Sequence, residues 1–125
     1  MASKSKEAHY RRLNGKYLKD AKELIKKGDY SQASEKLWGA SVEIVKALAA
    51  KRENKTLGEH RQILEYVSKL DKEFPDMNLR RLISTARALH SNFYEDEFPA
   101  DYVSEIGYQA VEEFIDKMKR ILEES

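Results

Sequence analysis

The stretch RRLISTARALHSNFYEDEFP, Arg80 to Pro99, holds most of the side chains in this sequence that could do chemistry together. Arg80, Arg87 and Tyr94 fall seven residues apart, and at ~100° per residue a helix brings them nearly into one line. His90 lies three residues after Arg87 and four before Tyr94, so its side chain neighbours both. Such a row could bind a phosphate or assist its transfer, the imidazole moving a proton and the guanidinium holding charge. Spacing alone favours a structural reading, in which His90 packs against another helix and Tyr94 shields the bundle end. Asn92 and Glu95 project from the opposite side of the same helix. An asparagine in mid-helix is unfavourable unless something uses its amide. Glu95, Asp96 and Glu97 crowd the negative end of a helix, where a cation such as Lys36 would answer them. Otherwise they form an acidic solvated loop.

A second set lies in ASEKLWGA, Ala33 to Ala40. Glu35 and Lys36 flank an apolar stripe, and Trp38 is the only tryptophan. Gly39 within a helix costs ~1 kcal/mol relative to alanine, which points to close helix approach at that level. Trp38 lies about 100° from Leu37. It either covers a second apolar face, as in an oligomer interface, or sits in the core with its N–H bonded.

The histidines His9 and His60 are far apart and lightly accompanied by acids, so neither a metal site nor a cofactor is expected. There is no phosphate loop, dinucleotide fingerprint, zinc-protease motif or nucleophile elbow. With no cysteine, disulfides, thiolate zinc sites and cysteine nucleophiles are excluded. The 23 Lys plus Arg against 22 Asp plus Glu leave a net charge of +1, which does not mark a polyanion binder unless a local basic face exists. Lys4, Lys6, Arg11, Arg12, Lys16 and Lys19 make the N-terminus one candidate. No apolar run approaches the ~18 residues that span a bilayer, and MASKSKEAHYRR has no apolar signal region. No membrane association is expected, and a cytoplasmic location is. Dense Lys and Glu without Cys also suits a thermophile.

Helices must position these residues. Apolar side chains recur at helical spacing between polar breaks, and no alternating β-branched run suggests a strand. The pattern predicts helices over about 5–27, 31–51, from Thr56, from Pro75 to 95, and from Pro99. Gly28 should cap the first. Ser31 or Ser34 should start the second, and a Thr56/Glu59 capping box the third. The expected core positions include Leu37, Ile44 and Leu48 in the second helix and Ile63, Leu64, Val67 and Leu70 in the third. The fourth should bury Leu82, Ile83, Ala86, Leu89 and Phe93, and the fifth Val103, Ile106, Ala110, Phe114, Met118 and Ile121. The chain therefore reads as all-α: one domain over residues 1–125, an antiparallel bundle of four to five helices, frayed over about residues 1–6.

Three segments together resemble a known family: the Gly28-Asp29-Tyr30 turn, QASEKLWGASVEIVKALA (Gln32 to Ala49), and ALHSNFYE (Ala88 to Glu95). They are similar to the small archaeal HEPN-type proteins of the PaREP paralogue family, over roughly residues 8 to 120. The resemblance implies a HEPN bundle, pairing as a homodimer, and association with nucleotides or RNA. Many HEPN enzymes are metal-independent endoribonucleases of toxin–antitoxin systems and carry an arginine followed four to six residues later by a histidine. Here two residues separate Arg87 from His90, eight separate Arg81 from His90, and seven separate Arg52 from His60. Asn92 and Tyr94 fall where such enzymes extend the polar motif. The resulting expectation is an accessory module in which Arg87, His90 and Tyr94 line a cleft completed by Glu35 and Lys36, with RNA, a nucleotide or an antitoxin-like protein as partner. The alternative is a non-catalytic dimerisation module anchored by Trp38 and the tyrosines.

Overall fold

Of five helices, four wrap around the second: α1 (Ala2–Lys26), α2 (Tyr30–Glu53), α3 (His60–Glu73), α4 (Leu79–Glu95) and α5 (Tyr108–Glu124). The computed structural model describes residues 2–125, with side chains from Lys4 onward, and contains no strand among them. The fraying expected near the start falls partly on Met1, outside the described residues; from Ala2 the chain is helical.

The centre of the bundle is α2, which packs against each of the other four helices. A helix apolar on most sides belongs inside, and α2 buries Leu37, Trp38, Ile44, Val45 and Leu48 together with a run of small residues. Those small residues let neighbours come close. A Cβ on Gly39 would stand 3.1 Å from the Tyr17 ring, and the Asn14 amide of α1 donates to the Ala40 carbonyl at 2.8 Å. The close approach expected at Gly39 is therefore an α1–α2 contact.

Local chemistry sets the helix ends, not always where the sequence pattern suggests. Gly28, at φ 79°, donates to the Ile25 carbonyl, while Asp29 N–H reaches Leu24; this paired closure needs a left-handed residue, which glycine adopts without strain. Asp29 then caps α2 by accepting from Gln32 N–H at 3.2 Å, which leaves Ser31 and Ser34 inside the helix. α3 starts at His60, later than the Thr56 box predicts, because Gln62 accepts from the N–H groups of Gly58 (2.7 Å) and Glu59 (3.0 Å). Thr56 instead accepts from Lys6. Pro75 opens only a 3-10 turn, Pro75–Met77. Left-handed Asn78 ends it, and the Asp71 carboxylate accepts from Arg80 N–H to begin α4.

The last helix departs most from its expected register. It enters through a π-helical segment, Tyr102–Gly107, whose wider turn rotates the following residues. Ile106, expected in the core, is 56% exposed, and Gly107 and Val111 are buried where Ile106 and Ala110 were expected. Gly107 fits closely there: a Cβ would lie 2.9 Å from Leu89 Cδ2, so a larger residue would require the Leu89 side chain to shift. Phe93 and Leu64 are half-buried, and Tyr66 joins the α3 core face instead.

Tyr66 buries its ring, but its hydroxyl is sealed without a partner. Burial, assisted by the Glu53 carboxylate, pushes the phenol up to about 12, so it stays protonated. An unpaired buried hydroxyl is a desolvation cost with no return. Tyr66→Phe should leave stability unchanged or raise it by up to about 1 kcal/mol in urea unfolding. A clear loss would mean that the hydroxyl has a partner after all.

Candidate functional site between α2, α3 and α4

The start of α2 and the end of α4 are joined by a ladder of polar contacts. The Ser31 hydroxyl donates to the Phe93 carbonyl at 3.1 Å. The Asn92 amide N–H donates to Ser34 Oγ at 3.0 Å. One turn deeper, His90 Nδ1–H donates to Glu35 Oε1 at 2.7 Å. The Asn92 carbonyl oxygen also accepts from the N–H groups of Glu97 and Phe98, both at 2.8 Å. Asn92, expected to offer its amide to a ligand, is buried and uses that amide to close the end of α4. Left-handed Asp96 completes the turn.

This ladder fixes His90. An ionised carboxylate can only accept, so Nδ1 carries the hydrogen, and Nε2 presents a lone pair while the ring is neutral. The side chain is 14% exposed. Among the described residues only Glu43 Oε2 and the Tyr66 hydroxyl are sealed without a partner, so Nε2, which bonds to no protein atom, keeps a path to water.

Three aromatic side chains surround the imidazole. The His60 ring meets it edge to face at 4.7 Å, Trp38 lies at 5.6 Å, and Tyr94 stands edge-on at 5.4 Å. Trp38 also contacts His60 at 5.3 Å. Trp38 is 4% exposed, which places it in the core and leaves it no outward apolar face. The sequence does not mark His60 as a site residue, because it lies far from His9 and is lightly accompanied by acids at helical spacing; helical spacing within one segment cannot register a neighbour that only the α2–α3 loop brings back. The histidine pair with Glu35 does not make a metal cage: among the described residues no three metal-ligating side chains converge.

Beside the histidines, α3 and α4 bound an open groove of about 550 Å³, lined by His60, Arg61, Leu64, Lys69, Lys72 and Arg87, with Glu65 and Ser68. Arg61 pairs with Glu65 at 2.7 Å and Lys69 with Glu53 at 2.8 Å. Lys72 and Arg87 have no carboxylate partner among the described residues. Of the basic N-terminal residues, Arg11 pairs with Glu7 and Lys16 with Asp20, Lys6 donates to Thr56, and Arg12 meets His9. Lys36 does not complete the cleft as expected. It faces α1, where it lies 3.8 Å from Asp20 and 5.0 Å from the centre of the Tyr17 ring. Glu95 is exposed, with no ion pair among the described residues. The structure thus brings together Glu35, Trp38, Arg87, His90 and Tyr94, adds His60, and leaves Lys36, Asn92 and Glu95 outside.

Residues 9–115 match the archaeal PaREP1/PaREP8 family. The chain belongs to that family. No curated protein and no solved structure matches it.

In this PaREP1/PaREP8 member the histidine cluster has a directional electrostatic character. The His60 pKa is held below the usual imidazole value, first by its buried edge and then by His90 and Arg87, with Glu35 opposing. Much of the ring remains open to solvent, so the effect on stability is modest. A depressed histidine pKa means that the unfolded chain binds the proton more readily. The stabilising contribution of neutral His60 is therefore complete above the unfolded value of ~6.5 and is lost as pH falls through that value towards the folded one. Between pH 7.5 and 5.5 the melting temperature of the wild type should fall further than that of His60→Gln; parallel curves would remove the effect. Asn92→Ala strands two backbone donors and the Ser34 contact, and should cost roughly 2–3 kcal/mol in chemical unfolding. A cost near zero would show that the α4 end holds without it.

Proposed function

We propose that this protein is a nucleotide- or RNA-associated module of HEPN-like descent. The observation that carries this reading is the groove between α3 and α4, where Lys72 and Arg87 have no ion-pair partner among the described residues and line the same surface as His60. Phosphates seek unneutralised cations, and an open groove lets a strand follow them. The near-zero net charge of the chain does not weigh against a local site, because short-range fields decide contact at physiological salt.

The Glu35–His90 pair gives the same region an acid–base group. A carboxylate that accepts from one ring nitrogen fixes the tautomer and leaves the other nitrogen to exchange a proton with a ligand. If RNA is cleaved, His90 is the proton-transfer group and Arg87 the phosphate clamp. A homodimer and an antitoxin-like protein partner belong to the same reading. The dimerisation-only alternative loses its main anchor with Trp38 buried; Tyr94 and Ile106 are the large apolar side chains that stay exposed, and two scattered residues make a poor interface core.

Fluorescence anisotropy with a labelled RNA oligonucleotide, across about 50–200 mM salt, tests the reading. Binding should weaken steeply with salt, and the double variant Lys72→Gln/Arg87→Gln should flatten the slope by about 2. Absence of saturable binding at low salt sinks the proposal. Incubating the same RNA in EDTA with wild type and His90→Ala separates a metal-independent nuclease from a binder: cleavage that His90→Ala abolishes assigns the catalytic role.

A further inference from the structure

Tyr94 is 70% exposed at the last turn of α4. A single exposed tyrosine is ordinary; its position here is not. It ends a continuous series of ring contacts that begins in the core with Trp38, passes through His60 and His90, and emerges at the surface. Phe93 braces it from the side, with ring centres 4.9 Å apart and planes at 73°. Both neighbours meet Tyr94 through edge contacts, so neither ring is stacked flat upon it. On the same line of the helix, two turns earlier, Arg87 faces the cationic groove. Seven residues of helix separate the two by roughly 10 Å along the axis, a distance that a nucleotide and its neighbouring phosphate can bridge.

We infer that Tyr94 is a stacking platform for one unpaired base whose backbone phosphate lies in the α3–α4 groove at Arg87. The inference rests on the reading of the groove as a phosphate site and narrows its ligand to single-stranded RNA or a free nucleotide. A base within a duplex has both faces occupied by its neighbours, whereas an unpaired base can lie on an aromatic ring, and such stacking tolerates any base. The ring directly beneath Tyr94, that of His90, is held in place by its bond to Glu35, which braces the platform from the protein side. This assigns Tyr94 to positioning and specificity, not to acid–base chemistry.

Competition anisotropy on the full chain decides it, using a labelled single-stranded RNA, a duplex of the same sequence, an abasic strand and a mononucleotide as competitors. Tyr94→Ala should weaken single-strand binding roughly five- to a hundredfold, with an unchanged salt slope, because no phosphate contact is lost. Tyr94→Phe should bind within about twofold of wild type, since the ring is what matters. The duplex and the abasic strand should compete poorly. Mononucleotide binding with the same dependence on Tyr94 would identify a free nucleotide as the ligand; its absence alongside single-strand binding would identify a strand. If Tyr94→Ala binds as wild type, or the duplex competes equally, the platform is overturned while the groove stands. If wild type binds no RNA or nucleotide at all, both fall together. Tyr94 lies on the surface, so its variants should retain the wild-type melting temperature, which confirms that any loss is local.

Discussion

The burial of α2 on nearly every side is the constraint from which the rest of the molecule follows. A helix at the centre of a bundle has little solvent face on which to leave polar side chains; in α2 the exposed residues are Gln32 near its start and Lys51, Arg52 and Glu53 at its end. Each polar group it carries must find a partner on a neighbour or bear the cost of desolvation. Ser41 returns its hydroxyl to the Leu37 carbonyl, Ser34 bridges Tyr30 and Asn92, and Glu35 accepts the hydrogen bond from His90 Nδ1–H. Glu43 is the exception: one oxygen has no hydrogen bond, Lys46 stands 3.8 Å away, and burial raises its carboxyl pKa. The small residues of α2 serve the same constraint from the packing side, since Gly39 and Ala40 admit the Tyr17 ring and the Asn14 amide of α1 against the α2 backbone.

The candidate site is a by-product of that arrangement. Antiparallel α2 and α4 are pinned by Ser31, Ser34 and Glu35 against Phe93, Asn92 and His90. Register is thereby fixed by polar contacts of defined geometry, where apolar packing alone would tolerate sliding. The same contacts that hold α4 present a tautomerically defined imidazole to solvent. The floor is Trp38, and the histidine from α3 arrives because its helix starts late, at the Gln62-capped turn. Had α3 begun at Thr56, His60 would stand more than a turn inside the helix instead of at its first residue.

The contrast between α4 and α5 shows how far periodicity reaches. In α4 the apolar stripe Leu82, Ile83, Ala86, Leu89 is buried as its spacing requires, because an unbroken α-helix keeps 3.6 residues per turn. In α5 the same rule carried through the π-helical segment puts Ile106 inside, and it is outside. The wide turn ends at Gly107, which packs closely against Leu89 of α4, a contact between two helices that no local pattern contains.

The sequence by itself determined the helical class, the breaks at Gly28 and Pro75, most of the core stripe, and the line Arg87–His90–Tyr94 on one helix, because these depend on interactions within a few residues of chain. It also pointed to the archaeal family through three short segments. Only tertiary structure decided which groups meet. Glu35 lies 55 positions from His90, Lys36 turns to α1, Asn92 is consumed in closing α4, and His60 enters a cluster to which no motif assigned it. Pairings of this kind depend on how helices are rotated and offset against one another. That is settled by the summed packing of the whole core, so one residue of register in a helix sends a side chain to a different neighbour.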